Sequence, residues 1–374
     1  MSNNYCLSSC ASVNVILDTL DSLHPEIGGI ISDDMDIKSL CQWRATCRQN
    51  YLQGTASLRR SLMKVLNGFV HDPSNFMSLI TRHNALIGGE VALAFILRDS
   101  TYFARSLEIF AGQWDFSALC KAVLDGPLVL HIQRTTRIEH PRNFALQRLV
   151  SETLHIELVN GGSIHIHSSF TCTAISGIAR SLTTGLSNYV SGQGFGCSHP
   201  RLTLQRRALL SDIALDTRNA LDFSVMNNMV TQGFHLSVTP SAWPEYRYSL
   251  ADNATIAPFQ CWRELYICPS MGRFFGDAGS FVNYFDPLAG DAAICVSRSL
   301  PPYGSMLIWR LMTTFHCSDS CDELDEFLGN GLTSVPVLFV HDFPGRAKDI
   351  LVDRRVHATG VPAVERARDR SRSL

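Results

Sequence analysis

The sequence has no long apolar run and little charge. The chain has 374 residues, and none of its apolar segments approaches the roughly 20 uninterrupted apolar residues that are needed to span a bilayer. The N-terminus has no basic start followed by a long apolar block, because Asp18 and Asp21 interrupt its apolar residues. It therefore does not resemble a secretory signal. We expect a soluble protein of the cytoplasm, the nucleus or both, with no membrane partner.

Charged residues make up only 18% of the chain, and the formal net charge is −2. A nearly neutral chain has no overall electrostatic attraction to nucleic acid, so we do not expect nucleic acid as a partner. Residues 353–374 are rich in Arg, but Asp353, Glu365 and Asp369 dilute their charge. Because this segment also has few core-forming residues, we predict that it is disordered.

Signatures of several common sites are missing or incomplete. The sequence contains no Walker-type loop, no GxSxG elbow and no papain-like cysteine signature. Its twelve cysteines are scattered, which predicts reduced, packed thiols rather than a disulfide framework. Four of them offer thiolates for zinc, but their spacing is not that of a usual zinc pair, so packing is the preferred interpretation. These four are Cys261, Cys268, Cys317 and Cys321.

Periodicity divides the chain into an α-helical start and a mixed α and β middle. Apolar residues recur every three or four positions from Val13 to Val70, which predicts short amphipathic helices. Pro25 suits a first helical turn, and Asp34 or Asp36 would cap the next helix. The later elements that we predict are strands at residues 85–87, 107–111, 128–132, 153–159, 163–167 and 335–340 and helices at 91–97 and 173–182.

The start of the chain resembles an F-box. Residues 23–27 (LHPEI) match the opening of that family's pattern, and residues 43–48 (WRATCR) match its third helix. The resemblance implies a surface for the Skp-type adaptor of cullin-RING ubiquitin ligases. The residues expected to bind this adaptor are Leu23, Pro25, Ile27, Ile31, Leu40 and Trp43. A segment this short cannot bury the apolar faces of all its helices against one another. These faces must bind a partner protein or pack on the following domain.

The next segment resembles the nucleotidyltransferase signature. Residues 85–93 (ALIGGEVAL) supply an apolar residue and two glycines, and residues 98–110 (RDSTYFARSLEIF) supply the strand that carries acids in that family. Glycines at a helix N-terminus let the backbone approach a triphosphate. Carboxylates at i and i+2 share one strand face and can hold Mg²⁺ between them.

More closely, the chain resembles a family of F-box-linked proteins from mushroom-forming fungi. The matching pieces, in order, are HIELV at 155–159, FTCTAI at 170–175, HPRLT at 199–203, QGF at 232–234 and Cys268-Pro269 with Arg273 and Asp277. The resemblance spans roughly residues 20–285. It implies an α+β protein in which F-box-like helices precede a nucleotidyltransferase-like mixed sheet with flanking helices. We place the F-box-like segment at 1–70, the nucleotidyltransferase-like domain at 71–285, an α/β extension at 286–352 and the disordered tail at 353–374.

Transfer of the family's catalytic positions gives an incomplete site. Gly88 and Gly89 fall on the glycine positions, Ser106 on the first carboxylate position and Glu108 on the second. A neutral hydroxyl cannot replace a carboxylate as an Mg²⁺ ligand. Glu157 is the candidate third acid. Asp99, in a loop, would rescue the site only if that loop folded back.

Three histidines form a separate candidate. His165 and His167 are at i and i+2 on one predicted strand, and His155 is on the preceding strand. Zinc is one interpretation, but an exposed polar sheet face is preferred. The preferred function is a non-catalytic adaptor that joins a Skp-type protein to an unknown protein client, with no metal or cofactor. The alternatives are a nucleotidyltransferase that uses Mg²⁺ and a nucleoside triphosphate on a protein, an RNA or a small molecule, and a shell with neither activity.

Overall fold

The structure is a computed structural model. It describes residues 25–99, 101–141, 148–171, 173–216, 220–247, 261–285, 305–312, 337–341 and 350–351. In this part of the chain no helix is long and apolar enough to cross a membrane. Contacts divide the chain into two compact units, residues 1–64 and residues 65–374. Leu23 and the Arg-rich tail, 353–374, lie outside the described residues, as do Cys317 and Cys321.

The first unit is helical, as the periodicity predicts. Its helices are α1 (Pro25–Asp34), α2 (Ile37–Arg44) and the greater part of α3 (Arg48–Leu66). Helix α1 begins at Pro25, as predicted. Asp36 caps α2, because its side chain accepts hydrogen bonds from the backbone N–H groups of Lys38 (2.9 Å) and Ser39 (3.0 Å).

Polar contacts join α1 to α3. The Ser57 hydroxyl donates to the Ser32 carbonyl oxygen at 3.0 Å, and Arg60 donates two hydrogen bonds to the Asp33 carboxylate, at 2.8 and 3.2 Å. Gly28 faces α3, since a Cβ there would lie 2.4 Å from the oxygen at the end of the Gln53 side chain.

The second unit is built on an eight-stranded, mostly antiparallel sheet, so the α+β prediction is confirmed at this coarse level. Its strand order is β10-β7-β6-β1-β2-β5-β4-β3. These strands are β1 (Leu86–Gly88), β2 (Ser106–Ala111), β3 (Ile132–Glu139), β4 (Val150–Leu158), β5 (Ser163–Ser169), β6 (Asn188–Val190), β7 (Gly194–Cys197) and β10 (Phe281–Tyr284). The only parallel pair in this sheet is β2 with β5.

Helices and two small sheets complete this unit. The helices are α4 (Pro73–Arg82), α5 (Gly89–Leu97), α6 (Phe116–Asp125), α7 (Ile175–Ala179), α8 (Pro200–Thr203), α9 (Asp212–Asp216) and α10 (Ala220–Thr231). Strands β8 (Arg207–Leu209) and β9 (His235–Ser237) form one small sheet, and β11 (Ser305–Trp309), β12 (Val337–His341) and β13 (Ile350–Leu351) form the other. Two short 3₁₀ helices span Pro240–Ala242 and Pro244–Tyr246.

Alternation along the central strands separates a core face from a polar face. Leu107 and Ile109 of β2, like Ile164 and Ile166 of β5, are buried in the core. The residues between them point to the opposite face, since side chains alternate along a strand. Helix α5 is buried from Gly89 to Ile96, as expected for a helix that is apolar almost all round.

Two predicted elements were wrong in position or length. Of the strand predicted at 128–132, only Ile132 belongs to a strand, which is β3. Pro127 and Leu128 lie in a turn, and Val129 forms an isolated β-bridge with Val70. Proline and glycine at the end of α6 favour this turn over an immediate strand. The helix predicted at 173–182 is limited to α7, residues 175–179, which contains Gly177 at its centre.

Candidate functional site

The glycine pair lies where β1 meets α5. Gly89 has a φ of +58°, and a Cβ there would lie 2.5 Å from the Glu108 carboxyl carbon. Only glycine satisfies both the backbone conformation and the close approach of this side chain. A Cβ on Gly88 would lie 2.7 Å from the Phe110 ring. The two glycines therefore make room for two side chains of β2.

Ser106 holds the position predicted for the first metal-binding carboxylate. Its backbone N–H donates to Glu90 Oε2 at 3.1 Å, and its hydroxyl donates to the same oxygen at 3.3 Å. The Arg105 N–H donates to that oxygen at 2.9 Å, and the Asn228 amide donates to Oε1. Glu90 is 1% exposed. Its carboxylate is thus engaged in fixing the start of β2.

Glu90 was not among the site residues predicted from the sequence. The available signal was its place directly after the two glycines, in the first turn of α5, where the helix dipole favours an acid. It was overlooked because the family pattern directs attention to the acids on β2.

Strand register places Glu108 in a row of polar side chains. Glu108 pairs with Gly88 on one side and His165 on the other, and His165 pairs with His155. The predicted third acid, Glu157, belongs to the neighbouring row. It pairs with Ser163, and Ser163 pairs with Ser106.

The register therefore does not place Glu157 beside Glu108. At about 4.8 Å per strand, Glu157 lies about 10 Å from β2 with β5 between them. Asp99 does not rescue the site either. It accepts a hydrogen bond from the Thr101 N–H at 2.8 Å and forms an ion pair with Arg206.

A cavity of about 400 Å³ opens over this polar row. Its lining combines acids, arginines, histidines and apolar side chains, contributed by β2, β3, β4, β5, α7 and α10 and by the loops next to them. The lining residues are Glu108, Phe110, Ile138, His140, Arg148, Val150, Thr153, His155, His165, His167, Gly177, Arg180, Ser181, Leu182, Leu186, Asp222 and Val225. Small-molecule sites occupy roughly 300–1,000 Å³, so the cavity falls within that range.

The histidines form one wall of this cavity rather than the exposed sheet face that the sequence predicts. The rings of His155 and His165 have centroids 4.7 Å apart, and those of His165 and His167 are 6.0 Å apart. The His167 ring also stacks on Phe110 at 4.8 Å. Thr153 links two histidines, because its hydroxyl lies 2.8 Å from His140 Nε2 and 2.9 Å from His167 Nδ1.

Both cavity arginines have carboxylate partners. Arg148 forms an ion pair with Asp222. Arg180 donates to Asp212 Oδ1 at 2.8 Å and to the Arg310 carbonyl oxygen at 3.1 Å. Removal of two ions from water is costly unless each finds a close partner, so these pairings explain how the arginines are accommodated.

Burial shifts the titration of the cavity groups away from their charged forms. Burial, with a smaller contribution from nearby His155, lowers the pKa of His165 to about 4. Burial also lowers the pKa of His167, assisted by His165, His140 and Arg148. Burial raises the pKa of Glu108 to about 7, and Glu90 contributes in the same direction. The imidazoles of His165 and His167 are therefore neutral at pH 7.

No metal-binding constellation occurs in the part of the chain that the structure describes. Among these residues no group of three or more His, Cys, Asp or Glu side chains is arranged to hold a metal ion. Of the candidate zinc thiols, Cys268 is buried and Cys261 is partly buried, and neither belongs to a disulfide.

The predicted adaptor-binding residues differ in accessibility. Ile27 is 47% exposed and Ile31 is 37% exposed, whereas Trp43 is partly buried. Leu40 is 0% exposed, so it is not accessible on the surface of α2. The helical period places it on the inward face of α2 together with Ile37.

The other motif pieces of the resemblance have structural roles here. Arg273, which is 2% exposed, donates from Nε and Nη2 to the Asp277 carboxylate at 2.6 and 2.9 Å. It also donates to the carbonyl oxygens of Ser198 (2.7 Å) and Tyr266 (2.5 Å). Gly233 supplies a turn with a φ of +87°.

Comparisons with protein-family models, curated proteins and solved structures give no match for this chain. The resemblance to F-box and nucleotidyltransferase proteins therefore stays a prediction.

Proposed function

We propose that this chain is a non-catalytic interaction protein of the F-box-like type. In this proposal, α1 and α2 bind a Skp-type adaptor, and the second unit presents a surface to a protein client, as in a substrate-recognition subunit of a cullin-RING ubiquitin ligase. The observation that carries it is an exposed apolar strip on α1, which we call the isoleucine strip. It consists of Ile27, Ile30 and Ile31, which are 47%, 71% and 37% exposed.

The spacing of the isoleucine strip supports partner binding. Positions i, i+3 and i+4 share one face of a helix. Complete burial of an isoleucine stabilises a complex by roughly 1.5–3 kcal/mol, so three on one face supply a substantial driving force. Helix-in-groove binding uses anchors with this spacing.

The state of the second unit supports the non-catalytic half of the proposal. Metal-dependent transfer needs acids that converge on a cation, but Ser106 holds one of the two positions on β2. Glu157 lies two strands away. Burial raises the pKa of Glu108 to about 7, which leaves this lone acid only partly ionised at neutral pH. Such an acid is a poor anchor for Mg²⁺.

A binding experiment with the full chain tests the adaptor half. Purified Skp-type adaptor is titrated into the wild-type chain and into the Ile30→Glu variant in a calorimeter. We expect the wild type to bind and the variant to lose binding, because a buried carboxylate is strongly unfavourable. Ile132→Glu, a change of the same type on β3 at a 39% exposed position, should bind normally. Failure of the wild type to bind, or equal binding by Ile30→Glu, rejects the adaptor role.

One observation favours the rival function of an Mg²⁺-dependent nucleotidyltransferase. Glu90 and Asp222 lie close enough to Glu108 to raise its pKa, so three acids are near neighbours. The test is Mg²⁺-dependent incorporation of labelled nucleotide into protein, RNA or small-molecule acceptors. Incorporation that Glu108→Ala abolishes and Glu157→Ala preserves would establish the rival. Negative results in both this assay and the adaptor titration would favour a shell with neither activity.

A further inference from the structure

Among the cavity-lining residues that the structure describes, both arginines already pair with carboxylates. Arg148 is paired with Asp222, and Arg180 is paired with Asp212. The remaining ionisable acid in the lining, Glu108, repels anions whenever it is charged. A triphosphate bound here would therefore meet no net positive charge, and Ser106 removes the acid expected to hold its magnesium ion.

The same walls suit an uncharged ring. Aromatic side chains pack face to face or edge to face with other planar rings. The cavity offers Phe110 stacked on His167 at 4.8 Å, with His155 and His165 beside them. A neutral imidazole carries one donor and one acceptor nitrogen. The histidine wall therefore presents both hydrogen-bonding functions as well as ring faces.

Apolar side chains complete the cavity. Ile138 and Val150 contribute from the sheet, Leu182 and Leu186 from the segment after α7, and Val225 from α10. A mostly apolar enclosure with a few polar groups that fix orientation is the usual form of a small-molecule site. Its volume of about 400 Å³ matches a ligand of two fused rings with a small polar substituent better than a nucleoside triphosphate with its hydrated metal.

We propose that this cavity binds an uncharged, planar heteroaromatic molecule about the size of a nucleoside. The ligand stacks against the ring wall formed by Phe110, His165 and His167, and its polar edge forms hydrogen bonds with neutral imidazoles and with Thr153. Charge on the ligand opposes binding, because each cavity arginine already has its carboxylate. The cavity lining shares no residue with the isoleucine strip.

The test uses one ring system with increasing charge. Adenosine, adenosine 5′-monophosphate and adenosine 5′-triphosphate, the last with and without Mg²⁺, are titrated into the full-length protein in a calorimeter. We expect saturable adenosine binding, weaker binding of the monophosphate by about tenfold or more, equivalent to about 1.4 kcal/mol, and still weaker binding of the triphosphate. Magnesium should not restore it.

Two matched variants locate the site. Val225→Phe fills the cavity and should weaken adenosine binding by about tenfold or more, whereas Val159→Phe, at a 66% exposed position outside the cavity, should not change it. Far-ultraviolet circular dichroism checks that both variants fold. Should Val225→Phe not fold, His165→Asn replaces it, since that change removes a ring from the wall and leaves most of the enclosure in place.

The inference fails if adenosine shows no saturable binding, or if Val225→Phe or its replacement binds adenosine as well as the wild type does. It also fails if the triphosphate with Mg²⁺ binds more tightly than adenosine, a result that would instead favour the transferase. These outcomes are independent of the adaptor titration, because Ile30→Glu alters α1 and leaves every cavity residue intact. Loss of one proposal therefore does not imply loss of the other.

Discussion

The second unit contains two partly or wholly buried polar centres with opposite characters. Around Arg273, every strong charge has a close partner, and the guanidinium donates to a carboxylate and two carbonyl oxygens. In the cavity, by contrast, burial drives His165 and Glu108 towards their neutral forms. The group around Arg273, which we call the matched centre, stabilises the fold because each charge has a partner of opposite charge or a hydrogen-bond acceptor. Polar groups with strongly shifted pKa values around a cavity are typical of a binding site.

The largest expected effect concerns the matched centre. Arg273→Ala should destabilise the protein by about 3–5 kcal/mol, because it leaves the Asp277 charge buried without its partner. Urea unfolding followed by tryptophan fluorescence measures the change, since Arg273 hydrogen-bonds through its backbone to buried Trp309. The control is Arg137→Ala, which removes an ion pair of an exposed arginine with Glu152 and should cost about 1 kcal/mol or less. Equal costs would remove the distinction between the two centres.

The cavity should make the protein sensitive to acid. In the folded state the pKa of His165 is about 4, whereas an unfolded histidine has a pKa of about 6.5. The unfolded chain therefore binds more protons between these values, and stability decreases as the pH falls from about 6.5 towards 4. The loss attributable to His165 is about 3 kcal/mol at most.

Unfolding curves for the wild type and His165→Asn at pH 7, 6 and 5 isolate this contribution. The variant should lose less stability over that interval than the wild type. The groups that face the imidazoles, namely His155, His140 and Arg148, remain in place in the variant. The matched control is His131→Asn, at an exposed position, which should retain the wild-type pH dependence. Parallel curves for all three proteins would contradict the assignment.

Glu108 should show the opposite dependence on pH. Its folded-state pKa of about 7 exceeds the unfolded value of about 4.3, so its contribution to stability is present at low pH and is lost as the pH rises through 7. Glu108→Gln should therefore stabilise the protein by at most about 3–4 kcal/mol at pH 8, and the gain should vanish near pH 4. Thermal unfolding at both pH values measures it. Glu157→Gln, outside the cavity, should change stability by about 0.5 kcal/mol or less.

The sequence predicted much of the local structure, because local signals determined it. Helix α1 starts at Pro25, Asp36 caps α2, and the strand–helix–strand order around the glycine pair is as predicted. The α+β class is confirmed as well. The strand expected at 128–132 was placed early, because apolar residues in a turn have the same composition as a short strand.

The candidate site was less predictable, because strand register and long-range packing create it. The sequence placed His165 and His167 on one face of a strand and His155 on a neighbouring strand, and the register pairs His155 with His165. It gave no sign that α7 and α10 cover that face. The sequence also could not show which row of the sheet Glu157 joins, because spacing along the chain does not determine the register between neighbouring strands. Glu90 was missed because its partner Asn228 lies 138 residues away.

The smallest expected effect tests whether the cavity's polar groups are structural or adaptable. Thr153→Val keeps the side-chain shape but removes the hydroxyl that joins His140 to His167. We expect a loss of about 1 kcal/mol in urea unfolding, since a neutral hydrogen bond contributes about that much and water in the cavity can solvate both imidazoles. Thr135→Val, on an exposed part of β3, is the control and should be close to neutral. A loss of stability as large as that from Arg273→Ala would mean that the histidine wall is a fixed structural network, like the hydrogen bonds around Arg273. A small loss would mean that the imidazoles can exchange water for a ligand.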